Sequence, residues 1–197
     1  AINVDADCDA EIHAWYPGQC GGKALADIIF GKTSPSGKLP VTFYKNAEGL
    51  PDFEDYSMKN RTYRYVEDNE NILYPFGYGL TYSKVECTDI KYNDGTATVT
   101  VTNSGEYDTE DVVQLYIKGY SENAVLNYSL CGFKRVSLAK GETKTVELKI
   151  AESAFEAVNN EGERVSGGDK FTLYAGTAQP DEISTNLTGT KSVSVDI

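Results

Sequence analysis

The carboxylates closest together in sequence are Asp5, Asp7, Asp9 and Glu11, which alternate with other residues and would share one face of a strand. Two acids can divide nucleophile and acid/base roles, but only inside a sugar pocket that drives their pKa values apart. The default for such a run is a solvated acidic loop. Calcium ligation by the same oxygens lacks the EF-hand pattern, so no metal is assigned. His13 is the only histidine, which excludes a Ser-His-Asp triad or a His-based metal site unless another chain contributes. It is read as structural. Cys8, Cys20, Cys87 and Cys131 lack paired C-x-x-C spacing and read as free core thiols in preference to disulfides.

A second cluster, from Tyr56 to Tyr65, interleaves rings with arginines. Tyrosine faces stack on pyranose rings and guanidinium groups donate to sugar hydroxyls, which makes Tyr63 and Arg64 the candidate substrate-binding residues. The competing reading, which is preferred, packs the rings into the seam between the two sandwich domains, with Arg64 tying down backbone carbonyls. The Asn-x-Ser/Thr triplets at Asn60, Asn127 and Asn186 carry no weight, because such triplets are common by chance.

The surroundings limit what these residues can serve. With 18 basic against 30 acidic side chains the net charge is −12, which repels phosphate backbones and anionic lipid, so nucleic acid is not a partner. Neutral oligo- or polysaccharide is compatible with that charge. The longest apolar runs, such as residues 24–30, fall far short of the ~20 residues that cross a bilayer, so no membrane partner is expected. The chain opens on Ala1 and contains only Met58, so it reads as a fragment or a processed subunit. The missing start carries no address label. No cofactor is implied.

Two kinds of element must position these residues. From Lys84 onward, β-branched and aromatic residues alternate with polar ones in short runs separated by turns. Lys84 to Tyr92 and Thr96 to Asn103 flank Asp94-Gly95, a tight-hairpin signal. Further strands centre on Val113-Leu115-Ile117, Phe133-Val136, Val146-Leu148-Ile150, Phe171-Leu173-Ala175 and Val193-Val195-Ile197. About seven such strands favour two packed antiparallel sheets of the immunoglobulin or fibronectin type III kind over a closed barrel. Residues 1–83 differ. Leu25, Ile28 and Ile29 mark one helix face ended by Gly31, followed by a short strand over Leu39 to Tyr44 and a loop-rich aromatic stretch. The fold class is thus an α+β fragment followed by all-β: a partial α/β sandwich (1–83) and a fibronectin type III-like β-sandwich (84–197). The first unit is expected to complete a layer begun upstream, and not to be stable alone.

The string Trp15-Tyr16-Pro17-Gly18-Gln19-Cys20-Gly21-Gly22, then residues 24–31 (ALADIIFG) and 35–43 (PSGKLPVTF), resembles glycoside hydrolase family 3 in type and order. Residues 61–65 (RTYRY), 73–82 (LYPFGYGLTY), 112–116 (VVQLY) and 132–136 (GFKRV) extend the likeness over essentially the whole chain. Departures are small, with Cys20 where many members carry Glu and Cys131 where many carry Lys.

That resemblance implies a retaining exo-glycosidase releasing β-linked xylose or glucose from non-reducing ends, with two carboxylates about 5 Å apart. It places neither acid in this chain. The nucleophilic Asp belongs to a (β/α)8 barrel, the missing partner domain, and the acid/base Glu precedes the segment matching Trp15. A barrel downstream of this chain would be a rarer order. No residue here is assigned a catalytic role, and the isolated chain is expected to be inactive. Residues 50–58 with 61–65 look more like the β-xylosidase branch than the β-glucosidase one. The alternative from another class is a non-catalytic carbohydrate-binding or protein-interaction β-sandwich module.

Overall fold

The computed structural model describes residues 8–67 and 69–197. Asp5 and Asp7 lie outside the described residues, while Asp9 and Glu11 are exposed. The larger unit is a sandwich of two antiparallel sheets. One holds β3 (Val85–Asn93), β4 (Thr96–Asn103) and β7 (Thr143–Lys149) in the order β3-β4-β7. The other holds β5 (Thr109–Gly119), β6 (Ser129–Leu138), β10 (Phe171–Gly176) and β11 (Val193–Asp196) in the order β11-β10-β5-β6. All the strand centres expected from the alternation fall in these two open sheets, and no barrel closes.

The physical reason is the period of two. In β4 Ala97, Val99 and Val101 are fully buried while the threonines between them are half-exposed. Val113, Leu115 and Leu173 meet them from the facing sheet with no solvent contact. Burial of each such side chain stabilises by ~1.5–3 kcal/mol. The β3-β4 turn has Asp94 at φ 43° and Gly95 at φ 74°, the two positive values that a type I′ hairpin requires.

Two further pieces carry no clear strand signal in the sequence. A small ribbon joins β8 (Glu156–Val158) to β9 (Arg164–Ser166). Helix α3 (Glu182–Thr188) starts where the Asp181 carboxylate accepts the Ser184 N–H at 2.6 Å, and ends on Gly189 in the left-handed region.

The N-terminal unit is thinner. Helix α1 (Gly21–Ile29) begins under Pro17, where a Cβ on Gly21 would overlap the proline ring. It stops in a Schellman turn, with Gly31 at φ 69° and Lys32 N–H donating to Asp27 O at 2.8 Å. Leu25 and Ile28 are only half-buried, and Ile29 and Phe30 are largely exposed. The expected strand from Leu39 contracts to β1 (Phe43–Tyr44), paired with β2 (Ile72–Tyr74). Lys38 turns instead to Asp111 on the sandwich, and Leu39 exchanges backbone hydrogen bonds with Gly77 and Tyr78. A short helix, α2 (Thr62–Tyr65), lies between β1 and β2.

The cysteines need a correction. All four are free, but Cys8 and Cys20 are exposed rather than in the core, because both sit in the thin N-terminal unit that has little core to offer. Burial pushes the thiols of Cys87 and Cys131 up to about 12. Cys131 sits at a bulge between β5 and β6, and its thiol donates to the Leu115 carbonyl at 3.3 Å. At pH 7 a chromogenic disulfide reagent should therefore titrate two thiols quickly in the folded chain and all four in denaturant. Four fast thiols in the folded chain would contradict this burial.

Candidate functional site: the seam and the aromatic loop

β5 carries polar groups that water cannot reach, Gln114 and Tyr116 on its outer face and Asp111 in phase with the core residues Val113 and Leu115, and residues 34–40 and 74–83 come over to satisfy them. Gln114 donates to the carbonyls of Gly77 (2.9 Å) and Thr177 (2.8 Å), and its oxygen accepts the Tyr116 hydroxyl at 2.6 Å. Gly77 has φ 77°, and a Cβ there would strike the Gln114 and Tyr116 side chains. Gly79 is needed for a similar reason, since a Cβ would overlap the Gly37 carbonyl. The two straps also bind each other, Leu39 N–H to Tyr78 O at 2.8 Å and Gly77 N–H to Leu39 O at 2.7 Å. Nearby, Arg135 reaches Ser36 at 2.8 Å and pairs with Glu110.

At the end of this strap Lys38 meets Asp111 at 2.8 Å, with side chains 9% and 5% exposed. Lys38 also donates to Gly79 O at 2.7 Å, and Asp111 accepts the Val112 N–H at 2.7 Å. Burial pushes the Asp111 carboxyl above its usual range, and the Lys38 ammonium pulls it part of the way back. A raised folded-state pKa means that Asp111 favours folding most below its unfolded value of about 3.9, and that this is lost as pH rises through the folded value. At neutral pH the pair therefore adds little net stability over an apolar replacement, whereas a lone buried partner is costly.

Tyr63, on α2, stacks on Phe76 with ring centres 4.3 Å apart and meets Tyr116 edge-on at 6.2 Å. Its hydroxyl accepts the Leu130 N–H at 2.9 Å, and burial raises its pKa. Tyr128 extends the cluster to Tyr174 and donates to Asp181 at 3.1 Å. Arg64 is exposed, and its Nε donates to Ser129 at 2.9 Å. The Asn127 amide donates to Tyr63 O (3.0 Å) and Val66 O (2.9 Å), so this triplet's asparagine is held inside the seam. Tyr63 and Arg64 thus both touch β6, with Tyr63 inside the aromatic cluster and Arg64 at its rim. His13 stands edge-on to Trp15 at 4.4 Å and Phe43 at 5.3 Å, away from these residues in the contact pattern.

The other part of the Tyr56 to Tyr65 cluster does not join the seam. Phe53 is 90% and Tyr56 89% exposed. Arg61 cinches the backbone beneath them, donating to Asp52 O at 2.8 Å, to Ser57 O at 3.1 Å and to Asp55 O. The backbone and hydroxyl of Ser57 hold the Asp55 carboxyl below its usual range.

A depression of about 370 Å³ between residues 32–34 and the β5-β6-β7 edge is lined by three acids, Asp108, Glu110 and Glu142. Its Glu110 is held low by Ser137 and Arg135, and its Glu142 by the Ala139 N–H and Lys144, so both stay ionised. Among the described residues Asp111 is the one buried acid, and Lys38 occupies it. No described cluster of His, Cys, Asp and Glu could hold a metal, and no described helix is long and apolar enough to cross a membrane.

Sequence reasoning gave no role to Lys38, Asp111, Gln114 or Asn103, although Lys38 and Gln114 lie inside strings that carry the resemblance. Asn103 is fully buried, and its amide donates to the carbonyls of Tyr107, Leu138 and Ala139. The signal available was a polar residue at the inward phase of a strand.

Comparison with known proteins gives this architecture a class. Residues 1–82 match the model of the glycosyl hydrolase family 3 C-terminal domain, and residues 111–179 match that of the fibronectin type III-like domain. A xylan 1,4-β-xylosidase of Xylanibacter ruminicola is 42% identical over 189 residues, 92% of this chain and 22% of that protein. A periplasmic β-glucosidase of Salmonella typhimurium is 31% identical over 89% of this chain and 25% of its own length. A solved β-glucosidase from Erythrobacter marinus superposes with TM-score 0.79 at 29% identity, covering 98% of this chain and 26% of that one. The match is to the C-terminal region of carbohydrate-cleaving enzymes, and the chain spans about a quarter of these relatives' length. The chain belongs to glycoside hydrolase family 3.

The seam makes a sharp energetic prediction. Lys38→Met alone should lower the unfolding free energy in urea by about 3 kcal/mol, because Asp111 is left buried and unpaired. Adding Asp111→Leu should restore most of that loss. A double variant no more stable than the single one would show that the pair contributes net stability.

Proposed function

We propose that this chain is the C-terminal scaffold of a retaining exo-glycosidase that removes β-linked xylose or glucose from non-reducing ends, with its reactive acids elsewhere in the parent protein, the nucleophile on a (β/α)8 barrel and the acid/base in the α/β layer before Trp15. The observation that carries this is the state of the carboxylates. Retaining cleavage needs two acids about 5 Å apart, one with a raised pKa in a sugar pocket. The one buried acid among the described residues is neutralised by an ammonium, and Glu110 and Glu142 are held ionised. The half-buried face of α1, with Ile29 65% and Phe30 78% exposed, fits a helix that packs against the earlier part of the α/β layer.

The division of labour proposed here falls at residues 83 and 84, one residue before β3 begins. Tyr63 and Arg64 fasten the seam rather than grip sugar, because the Tyr63 ring face is stacked on Phe76 and the Arg64 Nε is engaged by Ser129. The relatives named as a xylan 1,4-β-xylosidase and a β-glucosidase support both sugars as substrates.

The isolated chain should show no turnover of p-nitrophenyl β-xyloside or β-glucoside, and the parent protein should cleave at least one of them. Turnover by the isolated chain that disappears on mutating one of its own carboxylates would refute the reading. In the parent enzyme, Tyr63→Ala should lower the melting temperature by several degrees, as loss of a buried ring does. KM for the aryl glycoside should move less than twofold. A tenfold rise in KM with an unchanged melting temperature would instead make Tyr63 a substrate contact.

A further inference from the structure

The loop Asp52–Arg61 is a platform that the seam does not use. Phe53 sits at the tip of a turn closed by Asp55 N–H donating to Asp52 O at 3.1 Å, and Tyr56 follows directly. Both rings stand almost wholly in water, and Leu50 and Met58 flank them at 46% and 47% exposure. Single exposed apolar residues are ordinary, but here two nearly bare rings stand three residues apart on one short loop, with Leu50 and Met58 also exposed beside them in sequence.

The backbone under the rings is fixed from within. The three carbonyl contacts of Arg61 hold the turn, and the Asp52 and Asp55 carboxylates accept the N–H groups of Glu54 (2.8 Å) and Ser57 (2.8 Å). The rings are therefore presented by a shaped loop and not left out by a slack one, so a ligand would not have to order the loop on binding.

We propose that this loop binds a neutral β-linked polysaccharide, with Phe53 and Tyr56 stacking on pyranose faces at sugar units away from the bond being cleaved. The proposal rests on the glycosidase reading above and extends it to a contact on this chain. Charge selects the occupant. Asp52, Glu54 and Asp55 surround the rings on an exposed loop of a chain with net charge −12, which disfavours anionic lipid, nucleic acid and acidic polysaccharide. The same carboxylates accept hydrogen bonds from sugar hydroxyls, while the ring faces cover the apolar C–H side of the sugar. Arg61 is a positioning residue, since its donors face the loop's own carbonyls.

Affinity electrophoresis of the 197-residue chain in native gels tests this without any turnover, so its outcome is separate from that of the function proposed above. Soluble arabinoxylan or mixed-linkage β-glucan in the gel should retard the chain, and polygalacturonate should not. Phe53→Ala/Tyr56→Ala should weaken the retardation at least fivefold with an unchanged circular dichroism spectrum. Phe53→Tyr/Tyr56→Phe, which keeps both ring faces, should preserve it. Absence of retardation by either neutral polymer, equal retardation by polygalacturonate, or full retardation of the alanine variant would each overturn the proposal.

Discussion

The buried polar side chains of β5 set the terms for the rest of the molecule. Gln114 is buried on the strand's outer face and Asp111 in line with its core residues, and a buried amide or carboxylate without partners costs more than most single contacts return. Their partners must come from outside the sandwich. Gly77 O meets the Gln114 amide and Lys38 meets Asp111, so two strings some forty residues apart in sequence are drawn onto one strand. A segment with too little apolar surface to fold by itself thereby gains a fixed place.

This polar dependence is a specification of register more than a store of stability. The sandwich core of Val99, Val101, Leu115 and Leu173 supplies hydrophobic energy whichever way the straps lie. Gly77 and Gly79 admit one arrangement, because a side chain at either position would occupy space already taken by Gln114 or by the Gly37 carbonyl. The aromatic cluster of Tyr63, Phe76, Tyr116 and Tyr128 then closes over the same strand.

The two ends of the aromatic stretch show how one composition serves different purposes. Tyr63 is half-buried, stacked and hydrogen-bonded, whereas Tyr56, seven residues earlier, is nearly all in water. Nothing in residue type separates them. Arg61 and Arg64 divide likewise, one tying its own loop and the other reaching across to β6.

The sequence by itself determined the sandwich, because inward and outward residues alternate with the pleat and a one-residue slip would turn every valine of β4 to solvent. Asp94-Gly95 likewise fixed its hairpin locally, and Gly31 fixed the end of α1. What the tertiary structure alone decided is where the unmatched polar groups go. Lys38, Asp111, Gln114 and Asn103 are ordinary surface types by composition, and only the meeting of distant segments makes them interior. The contraction of the strand expected over Leu39 to Tyr44 follows from the same cause. Local pattern sets which way a residue points, and long-range packing sets what it finds there.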